Sequence, residues 1–209
     1  MFERLPGGSE AQTASDEAWW PGRGPRLLFL VRLARGVAST LDGIIEEAGL
    51  KAKLGGALFP QELWHQSVSD RYADLPWVRE RLLAAGGQVQ VPGFTLSLDQ
   101  IRTARNQRGS FNAEVRQRGR CSELAQLVEA INAAVAAEGL PQGGGHSPHA
   151  TLSYGFDGTM PSTQSIPPLD WRVDAFELVW GGGHPYRYDT LGRWQLGPPG
   201  MTASQPSLF

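Results

Sequence analysis

Two short segments each carry a histidine and a hydroxyl side chain at alternate positions. His65 precedes Ser67 in W-H-Q-S-V, and His149 precedes Thr151 in P-H-A-T-L. Because successive strand residues point to opposite faces, each histidine and its hydroxyl would share one face of a strand. Both segments fit the pattern H-x-[Ser/Thr]-apolar, and the histidines are 84 residues apart (149 − 65). This repetition favours one site to which both segments contribute.

Two facing histidines would suit proton transfer at phosphorus. Displacement at phosphorus is roughly in line, so one positioned group is needed beside the attacking oxygen and one beside the leaving oxygen. The unperturbed pKa of histidine is about 6.5, so one ring can accept a proton at neutral pH while the other donates one. The hydroxyls of Ser67 and Thr151 can donate hydrogen bonds to the nonbridging oxygens. We expect neither a metal nor another cofactor.

The spacing of apolar residues places both histidine segments on strands. Ser122 is the expected N-cap of the clearest helix, which has an apolar stripe at helical spacing. The predicted helices cover residues 37–50, 75–86 and 121–140. The predicted strands cover residues 27–33, 62–69, 94–105, 111–118 and 148–155, with a closing hairpin formed by 171–182 and 186–196.

These elements repeat along the chain. The first strand, helix and histidine strand run from Leu27 to His65, and a second set runs from Phe111 to His149. Both sets span 38 residues (65 − 27 and 149 − 111). The equal spans predict a duplicated unit and therefore two lobes, each of which donates one histidine strand.

On these motifs the sequence resembles the 2H phosphoesterase superfamily, and within it the bacterial 2′-5′ RNA ligase and 2′,3′-cyclic phosphodiesterase group. The resemblance covers roughly Leu27 to Leu196, including the closing strand Y-R-Y-D-T-L-G-R-W-Q-L. We expect an α+β fold of two pseudo-symmetric lobes of antiparallel sheet, with outer helices, around a central cleft. The chain departs from the family at Ser67, where threonine is more common, and in the S-D-R-Y-A-D that follows.

The resemblance implies a metal-independent phosphodiesterase that hydrolyses RNA 2′,3′-cyclic phosphate ends to 2′-phosphates. It makes His149 the base and His65 the acid, and the same machinery with a 5′-hydroxyl in place of water would give reversible 2′-5′ RNA ligation. Tyr154 matches a position where some relatives place an aromatic hydroxyl, although simple alternation puts it on the opposite face from His149. Two alternatives stay open. One is a phosphodiesterase of a small cyclic phosphate or a 2′-5′ oligonucleotide, and the other is a noncatalytic protein that binds RNA or a sliding clamp.

Arginines are concentrated in the middle of the chain. The net charge of −2 and the pI of about 6.1 argue against a general nucleic-acid coat protein. Arg108 and Arg116 belong to an arginine-rich stretch and are candidate contacts to RNA phosphates. His146 lies in a glycine-rich loop before the second motif and is a further candidate for the cleft wall.

The two ends of the chain differ from the middle in composition. We predict a disordered leader over residues 1–25, a 2H phosphoesterase-like domain over 26–196 and a flexible tail over 197–209. The tail ends in Q-P-S-L-F, which resembles the peptide that binds bacterial sliding clamps. Gln205, Leu208 and Phe209 are the expected contacts to such a partner.

The cysteine content and the absence of a signal segment bear on the compartment. A single cysteine, Cys121, cannot form an internal disulfide, and a reducing compartment is therefore the default. The longest apolar run near the N-terminus, Leu27 to Val31, is too short to span a bilayer. We expect a cytoplasmic monomer with no membrane partner.

Overall fold

Two antiparallel sheets form the centre of the protein. The computed structural model describes residues 24–105, 111–156 and 162–198. The first sheet has the strand order β2 (His65–Ser67), β1 (Arg26–Arg32), β8 (Ala175–Gly182) and β9 (Arg187–Gln195), and β3 (Tyr72–Ala73) also pairs with β1. The second sheet has the order β6 (His149–Phe156), β5 (Phe111–Arg116), β4 (Phe94–Arg105) and β7 (Thr163–Val173).

The helices cover these sheets and complete an α+β fold. They are α1 (Arg35–Glu47), α2 (Leu50–Leu54), α3 (Pro76–Gln88) and α4 (Ser122–Ala137), with 3₁₀ turns at Gly55–Ala57 and Gln61–Leu63. In the part of the chain that the structure describes, no helix is long and apolar enough to cross a membrane.

Strand β1 is buried on both faces, which explains its continuous apolar run. Leu27, Phe29 and Val31 belong to the main core with the helices. Leu28 and Leu30 point to the other face and form a small cluster with Val179 of β8, against which Tyr188 packs. This second cluster lies on the face of the sheet that also carries His65.

Helix α4 buries the predicted apolar stripe, but its cap differs from the expectation. The N-cap residue is Cys121, whose Sγ accepts a hydrogen bond from the Leu124 N–H at 3.4 Å. Ser122 is the first helical residue, and its hydroxyl donates to the Glu123 carboxylate at 2.9 Å. The prediction of Ser122 as the N-cap was therefore wrong by one residue.

The predicted duplication is confirmed by the strand register. Arg32 pairs with His65 at the end of β1, and Arg116 pairs with His149 at the end of β5. Each residue of the second pair lies 84 residues after its counterpart in the first pair (116 − 32 and 149 − 65). The orders β2-β1-β8-β9 and β6-β5-β4-β7 also correspond strand by strand. The two-lobed fold expected from the sequence is therefore confirmed.

The predicted strand over 171–182 is in fact the end of one strand and the whole of another. Strand β7 ends at Val173 and β8 begins at Ala175, so the chain passes from the second sheet to the first at Asp174. Most of β7 was missed because it contains Pro167 and Pro168. The register explains how they fit, because Leu98 pairs with Leu169 and Gln100 pairs with Ser165, which leaves the prolines in an irregular segment between these pairs.

The predicted boundaries between leader, domain and tail lie close to the two ends of the described residues. The described part begins at residue 24 and ends at residue 198. The leader over 1–25 and the tail over 197–209 fall almost entirely outside it, so these boundaries stay predictions.

Candidate active site

The two histidine strands face each other across the junction of the lobes. His65 begins β2 and His149 begins β6. His149 lies close enough to His65 for its charge to lower the pKa of the His65 ring. A cleft of about 770 Å³ opens between the motifs and is lined by His65 and Thr151, whereas His149 is not among its described lining residues. The lobes therefore bring the two sequence motifs together.

Both imidazole rings are held by the same kind of hydrogen bond. His65 Nδ1 lies 2.6 Å from the Leu63 carbonyl oxygen, and His149 Nδ1 lies 2.8 Å from the Ser147 carbonyl oxygen. A carbonyl oxygen can only accept, so each Nδ1 carries the hydrogen and donates it. When either ring is neutral, the Nε2 lone pair remains available to take a proton. The repeat thus reproduces the tautomer as well as the position of the histidine.

The environment of His65 disfavours its charged form. Burial lowers the pKa of His65 to about 4, and the charges of Arg32, His149 and Arg71 act in the same direction. The hydrogen bond to the Leu63 carbonyl opposes this shift but does not reverse it. His65 is therefore neutral at pH 7 when the cleft holds no anion.

An ion-pair network lies behind His65 on the first sheet. Arg32 Nε donates to Glu177 Oε2 at 2.8 Å, and Thr190 Oγ1 donates to the same oxygen at 2.9 Å. Arg193 binds the other carboxylate oxygen of Glu177 at 3.3 Å. Glu177 is buried, and its two arginines compensate the free energy that burial of an unpaired carboxylate would cost. The ring of Tyr188 packs edge-on against His65, with 4.9 Å between the centroids.

A buried glutamine ties the two motifs together. Gln66 lies between His65 and Ser67 and is fully buried. Its Oε1 accepts the His149 backbone N–H at 2.5 Å, and its Nε2 donates to the Ser67 carbonyl at 2.7 Å. The side chain of one motif therefore fixes the backbone of the other, at the residue that carries the second histidine.

A bulge in β6 determines which side chains face the cleft. Glu114 pairs with Thr151 but Ala113 pairs with Ser153, so Leu152 is an extra residue in the ladder. Ser153 is fully buried opposite the core residue Ala113, and its Oγ has no hydrogen-bond partner among the described residues. The bulge removes Ser153 from the face that carries Thr151 and puts the next residue on the cleft side.

The next residue is Tyr154. Simple strand alternation predicted that its side chain would lie on the opposite face from His149. Tyr154 pairs with Asn112, and both side chains line the cleft. Tyr154 is 51% exposed and packs edge-on against Phe59, with 5.2 Å between the centroids. The structure therefore places Tyr154 and Thr151 in the same cleft.

The remaining predicted residues have different positions. Ser67 follows His65 on the same face of β2 but lies outside the set that lines the cleft. His146 is half-buried, with its Nε2 unpartnered among the described residues, and burial lowers its pKa. Arg116 donates to Ser147 Oγ at 2.5 Å and pairs with Glu114. Arg108 lies outside the described residues.

The predicted tail contacts Gln205, Leu208 and Phe209 also lie outside the described residues. Clamp binding therefore stays a prediction. Among the residues that the structure describes, no group of three or more histidine, cysteine or acidic side chains could hold a metal ion.

Sequence reasoning missed most of the cleft wall. The missed residues are aromatic, apolar, amide or cationic side chains from loops and strand ends: Arg26, Phe59, Pro60, Leu63, Arg71, Asn112, Pro185, Tyr186 and Tyr188. Tyr186 and Tyr188 carried a readable signal, because Y-R-Y spacing places two aromatic rings on one side of an extended segment. Their rings meet edge-on, with 5.3 Å between the centroids.

The fold is shared with solved phosphoesterase structures. Escherichia coli LigT in its apo form has a TM-score of 0.65 at 23% identity, over 83% of this chain and 99% of that chain. TT0787 of Thermus thermophilus has a TM-score of 0.62 at 19% identity, over 83% of this chain and 99% of that chain. A crystal structure described as a phosphoesterase has a TM-score of 0.59 at 24% identity, over 82% of this chain and 98% of that chain.

These similarities establish the fold that the 2H phosphoesterase resemblance predicted. Further matching structures of LigT hold ATP, 3′-AMP and phosphate. Comparisons with models of protein families and with curated proteins gave no match.

Proposed function

We propose that this protein is a 2H-type phosphodiesterase that hydrolyses 2′,3′-cyclic phosphate ends of RNA to 2′-phosphates. The observation that carries the proposal is the pair of equivalent histidines, each with Nδ1 fixed on a carbonyl oxygen and Nε2 left for proton transfer. The LigT complexes with 3′-AMP and phosphate support a nucleotide phosphate as the ligand.

The reaction requires one proton acceptor and one proton donor. Water attacks phosphorus while its proton passes to one histidine, and the bond from phosphorus to the 3′-oxygen breaks as the other histidine protonates that oxygen. The product is a 2′-phosphomonoester with a free 3′-hydroxyl. Thr151 and Ser67 donate hydrogen bonds to the nonbridging oxygens, where charge develops. The same steps with a 5′-hydroxyl in place of water form a 2′-5′ phosphodiester and release the 3′-hydroxyl, which is 2′-5′ ligation.

The resemblance assigns the base to His149 and the acid to His65. This assignment requires His65 to be protonated when the substrate is bound. His65 is neutral at pH 7 in the free site because its pKa is lowered to about 4. It acts as the acid only after gaining a proton, and the negative charge of a bound phosphate supplies the missing stabilisation. Substrate binding therefore takes up a proton. Calorimetric titration with a nonhydrolysable analogue, in buffers of different ionisation enthalpy, measures this uptake directly.

Hydrolysis assays on wild type and three variants test the proposal. The substrates are a 2′,3′-cyclic mononucleotide and a short RNA with a 2′,3′-cyclic phosphate end, both in excess EDTA. Wild type is expected to turn over in EDTA. His65→Ala and His149→Ala are each expected to lose about 10²–10⁴-fold in kcat, the usual contribution of one acid or base. His184→Ala is the matched control, since His184 is an exposed histidine in the turn before β9.

The outcomes separate the alternatives. A folded wild type without turnover on either substrate would contradict the proposal and favour either another phosphodiester or the noncatalytic binding protein. Loss of turnover in EDTA, with recovery on addition of a divalent metal, would contradict the metal-independent mechanism. The cytoplasmic location stays a prediction from the cysteine content.

A further inference from the structure

The cleft has a strong excess of positive charge. Arg26 and Arg71 both line it, and no aspartate or glutamate is among the lining residues that the structure describes. Elsewhere on the same sheet face, Arg32 is neutralised by the buried carboxylate of Glu177. Arg26 and Arg71, by contrast, have no ion pair or hydrogen bond to any residue that the structure describes. The cleft therefore holds two guanidinium groups that have no partner in the part of the chain that the structure describes.

Arg26 is the more informative of the two. Its Nε is buried and lacks a hydrogen-bond partner within the described part of the chain. A buried N–H of a charged group costs free energy unless an acceptor meets it, and such groups rarely stay unsatisfied without a functional reason. A guanidinium fork in this state fits an anion with several acceptor oxygens, which is the chemistry of a phosphate group.

The position of Arg26 separates it from the reacting phosphate. Arg26 and Arg32 lie at opposite ends of β1, and Arg32 pairs with His65. Six residues of strand (32 − 26) correspond to about 20 Å between these Cα positions. Arg71 lies just before β3, beside β1, and its charge acts on His65 and on Tyr188. Arg26 and Arg71 therefore extend from the histidine end of the cleft towards its far end.

Aromatic side chains line the same path. Tyr154 is 51% exposed and Tyr186 is 39% exposed, and both line the cleft. Gly181 lies opposite Arg26 in the sheet, and a Cβ atom there would collide with the Tyr186 hydroxyl. The glycine thus makes room for the tyrosine near the arginine. Exposed rings beside a cationic groove are the features that bind single-stranded nucleic acid through stacking and phosphate contacts.

We propose that Arg26 and Arg71 form a second phosphate subsite for the phosphodiester that precedes the cyclic end of an RNA strand. Tyr154 and Tyr186 provide the stacking surfaces for its bases. This inference rests on the proposed function and goes further, because it selects an oligonucleotide over a small cyclic phosphate as the substrate. A mononucleotide reaches the histidines but lacks a second phosphate for the arginines.

Binding of the reaction products tests this subsite without requiring catalysis. The ligands are a nucleoside 2′-phosphate and a trinucleotide ending in a 2′-phosphate, measured with wild type, Arg71→Gln and Arg26→Gln/Arg71→Gln. Wild type is expected to bind the trinucleotide at least tenfold more tightly than the mononucleotide. The double variant is expected to lose most of this preference, because its affinity for the trinucleotide falls much more than its affinity for the mononucleotide. Arg172→Gln, which removes an exposed arginine paired with Asp174, is the matched control.

Salt dependence gives a second measurement. One additional phosphate contact on a single strand adds about 0.7 to the slope of log Kd against log salt concentration. This extra slope is expected for the trinucleotide with wild type and absent in the double variant. Arg71→Gln changes an exposed residue, so it serves as the readout if replacement of Arg26 prevents folding.

Three results would be decisive. An unchanged trinucleotide preference in a folded Arg71→Gln and double variant would overturn the subsite, as would equal losses for both ligands. An arginine-dependent preference without turnover of any cyclic phosphate would retain the subsite and remove the proposed activity. If the trinucleotide preference depends on the arginines and kcat/KM shows the same preference for a cyclic-phosphate oligonucleotide over a cyclic mononucleotide, both the subsite and the proposed activity are supported.

Discussion

The lowered pKa of His65 makes the stability of the protein depend on pH. The pKa is about 4 in the folded protein, while an unfolded chain has the ordinary value of about 6.5. The unfolded state therefore binds more protons than the folded state between these two values. The contribution of His65 is fully favourable above about pH 6.5 and is lost as the pH falls through this window.

The size of the effect follows from the two pKa values. The full shift corresponds to about 3 kcal/mol, because one pKa unit is worth about 1.4 kcal/mol. Lowering the pH from 7 to 5 protonates His65 in the unfolded chain but leaves it largely neutral in the fold. This step is expected to cost about 2 kcal/mol of unfolding free energy. With an m-value of about 2 kcal/mol/M, the urea midpoint falls by about 1 M.

Urea denaturation at the two pH values, with wild type and His65→Gln, measures this contribution. The variant has no titrating group at position 65, so its midpoint is expected to fall less between pH 7 and pH 5 than that of wild type. The buried His146 acts in the same direction in both proteins, so the difference between them isolates His65. His184→Gln is the control and is expected to keep the wild-type pH dependence. Equal pH dependence in wild type and His65→Gln would refute the reasoning.

Three further predictions concern the network around the site and the tail. Gln66→Leu removes the hydrogen bond that positions the His149 backbone. The unfolding free energy, measured by urea titration, is expected to fall by about 1–3 kcal/mol, and kcat is expected to change more than KM. An unchanged kcat would contradict a positioning role. Glu177→Gln removes the anionic partner of the partly exposed Arg32, and a loss of about 1–3 kcal/mol in unfolding free energy is expected by urea titration; an unchanged unfolding free energy would contradict this. Deleting residues 205–209 is expected to abolish binding to a bacterial sliding clamp in a pull-down while hydrolysis stays at the wild-type rate; clamp binding without the tail would contradict that prediction.

Regular elements were predictable where the periodicity of burial was strong. Strand β4 was predicted over 94–105 and has these bounds, because buried and exposed residues alternate along most of its length. The site was predictable to the extent that it depended on strand alternation within one motif. His65 with Ser67 and His149 with Thr151 needed only this rule and the repeat.

The rest of the cleft depended on contacts that local patterns do not encode. The bulge at Leu152 changed the face of Tyr154, and nothing in H-A-T-L-S-Y specifies an extra residue in the ladder. The prolines of β7 made a real strand look like a loop. Arg26 and Arg71 are 45 residues apart in the chain (71 − 26), and they line one cleft only because β3 pairs with β1.

The duplicated lobes place two equivalent histidines opposite each other, but their surroundings are unequal. Arg32 binds a buried glutamate, whereas its counterpart Arg116 binds Ser147 and Glu114 near the protein surface. A site with perfect twofold symmetry would hold protons equally on both sides and treat the entering and departing oxygens alike. The unequal arginine partners break this symmetry. Under the proposed function, the duplication would supply the geometry for in-line transfer, and the divergence of the two halves would give the two histidines different proton affinities.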